Sequence, residues 1–569
     1  MPHAATSDGA ELLELRVLDG PNRFFSRPAV KLEFGADDAG AAAALAHQAA
    51  EVVRRLHAGL ELPAPRLTVR ESDSRLRAAV AFSWRRRAIA QALGAAASRV
   101  VMGVSSERRE LRALRAVAPG PRSHLPAPAI PIVAVTGTNG KSTTTRLIAH
   151  IARTAGLRVG MTNSDGIYVR NELVEPGDWT GFGGAARVLA EPGLQLAVLE
   201  TARGGILLRG IGYGANDVAV VTNVSADHLG LQGIDTLDEL ADVKAAVVRI
   251  TRRAGWAVLN ADDPRVWAMR RQTRAGWFPF SLDAQSPGVA EALARGGRAA
   301  VLRDGAMVLL AAGRRPRQLA PIAEVPVTFG GLSRYNVANA LAAAACADAL
   351  GISRARITTG LRSFSLDSGS NPGRLNLYER RGTLVLIDFA HNEAGLQGLL
   401  EVSRQLASRS FRQPGAAQRH QPGAAQRRQP GAAQRRRAAG RVRLALGTAG
   451  DRTDEILHSL GALAGAAADD VMICEKPHYL RGRDLEEMNA ILRAGAAAGG
   501  FGGEVEAHPT ELAALQALLA RARRGDVVAV MTHAERQEIA DWLASAGFKP
   551  VPPARLQSLV AGETGAPAD

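Results

Sequence analysis

Pro131-Ile-Val-Ala-Val-Thr-Gly137-Thr-Asn-Gly140-Lys141-Ser142-Thr143 decides how this chain is read. Ile132 to Val135 is an apolar, β-branched run of central-strand character, and Thr144-Arg-Leu-Ile-Ala-His-Ile-Ala-Arg carries Leu147, Ile148 and Ile151 at helical spacing. A strand that enters a glycine-rich turn and leaves as a helix aims backbone N–H groups and a helix N-terminus at an anion. Gly137, Thr138, Asn139 and Gly140 form that turn, Lys141 adds a mobile positive charge, Ser142 offers a hydroxyl to a magnesium ion, and Thr143 begins the helix. The first glycine stands three residues before the second, where the usual phosphate loop has five. A tight turn at a helix start is the plain alternative. The order strand, turn, Lys-Ser, helix reads instead as binding of a nucleoside triphosphate, ATP with Mg²⁺.

The chain has 569 residues, enough for three or four domains with separate cores. Met1 to Glu14 lacks a basic start followed by an apolar run, and no apolar stretch reaches membrane-spanning length. Two cysteines, Cys346 and Cys474, stand in no metal-like spacing. The expectation is a soluble, cytoplasmic protein that does not engage membranes. The net charge of +15 resembles a nucleic-acid signal until it is located: residues 409–443 hold ten arginines and no acid. An octamer recurs there three times, from Arg412, His420 and Arg428, sharing Gln-Pro-Gly-Ala-Ala-Gln-Arg. With no large apolar residue to offset ordering entropy, 409–440 reads as a disordered surface insert, which argues against nucleic-acid binding. Lysine is scarce: Lys31, Lys141, Lys244, Lys476 and Lys549 are the only five. In so arginine-biased a chain each is a candidate for chemistry that a guanidinium cannot do.

The organisation reads as multi-domain α/β. Residues 1–118 form an N-terminal α/β unit, with a strand at Leu12–Leu18 and helices at 40–58 and 88–101; a proline-rich linker fills 119–130. From 131 to 366, buried strands alternate with helices, the pattern of a P-loop-type, mostly parallel sheet covered on both faces. A hinge at Asp367–Gly373 leads to a smaller C-terminal α/β domain, 371–569, with strands at Thr383–Ile387, Val442–Leu446, Val471–Cys474 and Val527–Met531.

Leu196-Ala-Val-Leu-Glu200 ends a strand in an acid, at the sheet edge where open α/β proteins bind ligands, so Glu200 is a candidate to share a magnesium ion with Ser142. A second strand from Asp217 ends in Asn223, Asp227 and His228. A helix over 237–250 follows, with the stripe Leu237, Leu240, Val243, Val247 and Ile250 and with Lys244 at its margin, where a lysine would ordinarily reach out to water.

Together these segments resemble the Mur ligase superfamily of ATP-dependent amino-acid ligases, whose loop has the short Gly137-to-Ser142 spacing and whose Asn…Asp-His motif matches Asn223, Asp227 and His228. The resemblance implies one Mg²⁺ on Ser142 and Glu200. It implies a second on His228, helped by Lys244, a lysine carbamylated in many members. Asn336 in Tyr335-Asn336-Val-Ala-Asn339 would meet adenine, with Tyr335 in place of the customary histidine. Arg374 would reach phosphate, Asp388 ribose, and His391 the reacting group. Catalytic roles thus fall to Lys141, His228, Lys244 and His391.

Narrower stretches, Thr162-Asn-Ser-Asp165, Leu199-Glu-Thr-Ala-Arg203, Gly450-Asp-Arg452 and Arg481-Gly-Arg483, are similar to the Mur-like half of the cyanophycin synthetase family, and Leu18-Asp-Gly-Pro-Asn to its opening domain. The ATP-grasp domain that this family carries between those parts has no counterpart between residues 118 and 131. The implied activity joins an amino acid, arginine favoured, to an Asp-containing peptide or polymer through an acyl phosphate, beside a full-length cyanophycin synthetase or alone. A homo-oligomer is compatible with this reading. The alternative is a non-catalytic ATP-binding scaffold or regulator.

Overall fold

The computed structural model describes residues 9–561, apart from positions 39, 74, 75, 128, 228, 368 and 411–439. The octamer repeats and most of the expected insert therefore lie outside the described residues. Three sheets organise the rest. The first pairs β1 (Glu11–Leu18), β2 (Ala29–Gly35), β3 (Leu67–Glu71) and β4 (Arg77–Ser83) in the order β1-β2-β4-β3, antiparallel throughout. The helix Ala41–Gly59 covers it because Ala42, Ala46, Ala49, Val53 and Leu56 recur at helical spacing and are all buried. The helix Arg87–Val101 packs beside it.

The central sheet has eleven strands: β5 (Ile132–Thr136), β6 (Val159–Asn163), β7 (Gly166–Val169), β8 (Glu172–Pro176), β9 (Leu196–Glu200), β10 (Asn216–Val221), β11 (Thr251–Asn260), β12 (Gly276–Ser281), β13 (Arg298–Arg303), β14 (Ala306–Ala311) and β15 (Arg317–Pro321). They run in the order β15-β14-β13-β12-β11-β10-β5-β9-β6-β7-β8. From β13 to β6 every pairing is parallel, and the edges turn antiparallel. Strand β5 is buried on both faces because helices cover both. Val133 and Val135 meet the alanine-rich helix Arg334–Ala349, while Ile132 and Ala134 join the core formed with Val243 and Val247 on the other side.

The expected single helix over 237–250 is two: Leu237–Lys244 and Ala246–Arg249, with Ala245 between them. The apolar stripe is buried from Leu240 to Ile250 and half-buried at Leu237, and Ala245 keeps helical backbone angles (φ −61°, ψ −13°) at the junction.

The third sheet comprises β16 (Asn376–Arg380), β17 (Thr383–Asp388), β18 (Val442–Leu446), β19 (Asp470–Cys474), β20 (Glu506–His508), β21 (Val527–Met531) and β22 (Lys549–Pro550), in the order β20-β19-β18-β21-β17-β16-β22. Its interior pairings are parallel. The segment Asn371–Asn376 that enters it is tied down: the Asn376 side-chain amide donates to the carbonyls of Leu366 (2.7 Å) and Asn371 (3.0 Å), and its oxygen accepts from the Gly373 N–H (2.7 Å). Among the described residues, no helix is long and apolar enough to cross a membrane.

Candidate nucleotide-binding site

The turn after β5 is shaped by glycines that tolerate no substitute. Gly137 has φ +151°, and a Cβ there would lie 1.8 Å from the Thr222 hydroxyl oxygen; Gly140 has φ +82°, and its Cβ would lie 2.2 Å from Asn339 Oδ1. The end of β10 laces the turn in place. Asn223 Oδ1 accepts from the Asn139 N–H (2.9 Å) and Asn223 Nδ2 donates to the Asn139 carbonyl (3.0 Å), while the Thr138 N–H donates to the Asn223 carbonyl (2.9 Å). Asn223 thus builds the loop's shape. Lys141, at the first helical position, folds back and donates to the Thr138 carbonyl at 2.7 Å. Thr143 is buried one position beyond Ser142.

Glu200 ends β9 beside this turn, 3% exposed, with its Oε2 atom lacking any hydrogen-bond partner. Burial raises its pKa, against the opposing pull of Lys141 and a hydrogen bond from Ser142. A buried carboxylate oxygen without a donor is costly, and a cation shared with Ser142 would relieve that cost. The donors present therefore fit a hard divalent ion completed by phosphate oxygens.

Lys244 does not reach out to water. It is 3% exposed, and its ammonium nitrogen donates to the Gly137 carbonyl at 2.8 Å, under the phosphate loop. Burial, then repulsion from Lys141, holds its pKa well below the ordinary lysine value, although Asp227 pulls the other way. Burial of this kind disfavours the charged form of the amine. His228 lies outside the described residues.

The facing wall comes from the third sheet. The Arg374 guanidinium lies 4.2 Å from the centroid of the Phe389 ring, and Arg536 lies 5.6 Å from the same centroid. Asp388, at the end of β17, accepts from the Leu375 N–H at 2.9 Å; burial pushes its pKa up to about 6 despite Arg374. His391 holds its Nδ1 at 3.0 Å from the Phe389 carbonyl and its Nε2 at 3.8 Å from Asp227, which Arg452 also approaches at 3.4 Å. Asn336 accepts from Asn339 at 3.0 Å, and half-buried Tyr335, beside it, packs against Gly398 of the C-terminal domain.

Two further contacts join the walls. Asn139 and Asn392 exchange side-chain hydrogen bonds, at 3.2 and 3.0 Å. Asp165 accepts from Arg536 (2.6 Å) on one wall and Arg146 (2.9 Å) on the other.

All the site residues expected from sequence border a single cleft of about 820 Å³, save the undescribed His228. Sequence reasoning missed Arg536, one arginine among many with no motif around it. It also missed the part played by Asn392, although Asn392 directly follows His391 in a segment already singled out.

The chain is similar to several known proteins. Residues 135–347 match the model of the Mur ligase middle domain. The chain is 38% identical over 366 residues to the cyanophycin synthetase of Trichormus variabilis, covering 64% of this chain and 37% of that protein. It is 31% identical over 293 residues to the UDP-N-acetylmuramyl-tripeptide synthetase of Deinococcus radiodurans, covering 49% and 54%. A solved structure, E. coli FolC in complex with DHPP and ADP, aligns with a TM-score of 0.49 at 18% identity, over 74% of this chain and 90% of that one. The chain thus spans well under half the length of the cyanophycin synthetase it matches. Residues 135–347 thus match the Mur ligase middle domain, and the chain is similar to a cyanophycin synthetase over 64% of its own length.

Proposed function

We propose that this protein is an ATP-dependent ligase that activates a carboxylate as an acyl phosphate and joins it to the amine of an amino acid. The reading rests above all on Glu200: a buried carboxylate with an orphaned oxygen, beside the Ser142 hydroxyl and next to a loop whose glycines pack closely on Thr222 and Asn339. In this reading Gly137 to Thr143 bind the triphosphate, Asn336 takes the adenine end, Asp388 the ribose, and Arg374 a phosphate. Ser142 and Glu200 would hold one magnesium ion and His228 a second with Lys244 nearby. Such ions, when bound, neutralise charge between the triphosphate and the attacking carboxylate.

The chain's own groups account for the rest. A carboxylate cannot expel oxide, so the γ-phosphoryl group passes to it, giving acyl phosphate and ADP. Lys141 leaves the Thr138 carbonyl to meet the phosphates, adding a positive charge where two anions must approach. Residues Arg374 to Asn392 close the cleft from the other side and keep water from the acyl phosphate. An unprotonated amine then attacks, and phosphate leaves as the amide forms. The similarity to cyanophycin synthetase supports arginine as the incoming amino acid and an Asp-containing peptide or polymer as the acceptor, in the cytoplasm where ATP is made.

The test is ADP release from purified protein. ADP should accumulate only when a primed Asp-peptide and arginine are both supplied. Absence of turnover with any amino acid or acceptor, alongside intact nucleotide binding, would favour the non-catalytic scaffold.

A further inference from the structure

We propose that the N-terminal unit acts as a positioning clamp on the short helix Leu237–Lys244, and that Arg23 and Arg70 are the positioning residues which keep the Lys244 amine seated beneath the phosphate loop. The inference deepens the ligase reading, because it matters for turnover only if Lys244 serves the nucleotide site.

The helix has two working faces. Leu240 and Lys244, four residues apart, border the nucleotide cleft. Glu239 and Asp242, three apart, face the N-terminal unit. Arg23 donates from Nε to Asp242 Oδ2 (3.1 Å) and from Nη2 to Glu239 Oε1 (3.4 Å), and Arg70 pairs with the same Asp242 carboxylate. Glu239 is also the capping residue of the helix, accepting from the N–H groups of Asp235 (2.8 Å) and Thr236 (3.3 Å), and the N-cap Thr236 hydroxyl donates to Asp73 of the N-terminal unit. Three points of an eight-residue helix are therefore held from one side.

The clamp is itself anchored. Arg249, just past the helix, donates to Asp242 Oδ1 (3.0 Å) and to the Arg23 carbonyl (3.0 Å). The loop before Arg23 is stitched to the central domain through its backbone: the Asp19 N–H donates to the Arg209 carbonyl, and the Ile211 N–H to the Pro21 carbonyl, both at 2.7 Å. Gly20 sits so close that a Cβ would fall 1.8 Å from the Ile211 carbonyl oxygen. A helix this short has little stability of its own, and its backbone angles show only a change of turn at Ala245, after Lys244. Its apolar face is held by the central core through Leu240 and Val243, and its acidic face by the N-terminal unit.

The scarcity of lysine supplies a direct readout. Full-length protein is treated with an amine-acylating reagent, and the rate at each of the five lysines is followed by mass spectrometry. Lys31, Lys244 and Lys476, all buried, should be the slow ones in the wild type. In Arg23→Ala/Arg70→Ala, Lys244 should react roughly tenfold faster or more while Lys476 stays protected, the signature of local rather than global opening. Arg23→Lys/Arg70→Lys should recover much of the protection. Arg87→Ala, which removes exposed contacts with Asp19 and Gln91, should leave Lys244 protected.

Unchanged Lys244 labelling in the double alanine variant overturns the clamp. Should that variant expose Lys476 as well, the near-isosteric Asp242→Asn decides: selective labelling of Lys244 supports the clamp and an unaltered pattern overturns it. Because labelling needs no turnover, a wild type without ligase activity would sink the ligase reading and leave this result standing.

Discussion

At the residue scale, the cleft keeps several side chains in states they would not choose in water. Asp388 is the clearest. Its folded pKa of about 6 stands above the ordinary value of 3.8, so the folded protein holds that proton more tightly than the unfolded chain, and stability falls as pH rises from about 4 to about 6. Asp388→Asn removes the penalty. The variant should gain up to ~3 kcal/mol over wild type above pH 6, with little gain near pH 4, while binding nucleotide more weakly. Urea melts across that range, with nucleotide titration alongside, check both.

Much of this was legible in residue types. Rarity of lysine singled out five positions, and two of them, Lys141 and Lys244, stand in the cleft. What rarity cannot tell is which lysines only balance charge: Lys31 pairs with Glu14 and Glu33, and Lys476 with Glu511. Nor could it reveal that Lys244 is buried, because an apolar stripe gives the helix's inner face without saying how far a second layer covers its margin.

At the scale of elements, strands were easy to read and their neighbours were not. Runs such as Ile132–Val135, Leu196–Leu199 and Val527–Met531 are continuous and apolar, and each lies in a fully buried strand. The change of turn at Ala245 was invisible, since alanine is a good helix former and the apolar period continues through it. Loops were hardest, because partners far along the chain hold them. The buried Lys476–Glu511 pair illustrates this: Glu511 also accepts from the N–H groups of His533 (2.7 Å), Ala534 (3.2 Å) and Glu535 (3.1 Å), fixing the loop that delivers Arg536 to the cleft.

Burial alone would raise the Glu511 pKa, yet the Lys476 charge and these donors hold it below its ordinary 4.5. Its contribution is therefore complete above about pH 4.5 and disappears as pH falls through the depressed folded value. Glu511→Ala should cost about 3–5 kcal/mol near neutrality by stranding a buried ammonium, seen as a lower urea midpoint, and the deficit should shrink in acid.

At the scale of the whole molecule, three sheets meet around one helix and one cleft. The central sheet supplies the phosphate loop, the third sheet closes over it, and the first grips the helix that carries Lys244. Motif order along the chain foretold the first two of these relations. It could not foretell the third, which depends on Arg23, Arg70 and Asp242 meeting across more than a hundred residues.

Two of the contacts that join the walls differ in kind, and so should their response to added electrolyte. Asn139 and Asn392 exchange neutral amide hydrogen bonds, whereas Asp165 and Arg536 attract as ions. Mobile counter-ions weaken the second and leave the first untouched. Raising sodium chloride from 0.05 to about 1 M, which shortens the screening distance several-fold, should therefore open the cleft unevenly, as a door swings on its hinge. Spin labels near Arg536 should move away from the central sheet while labels near Asn392 keep their spacing; equal separation at both edges would show that the amide exchange is no pivot.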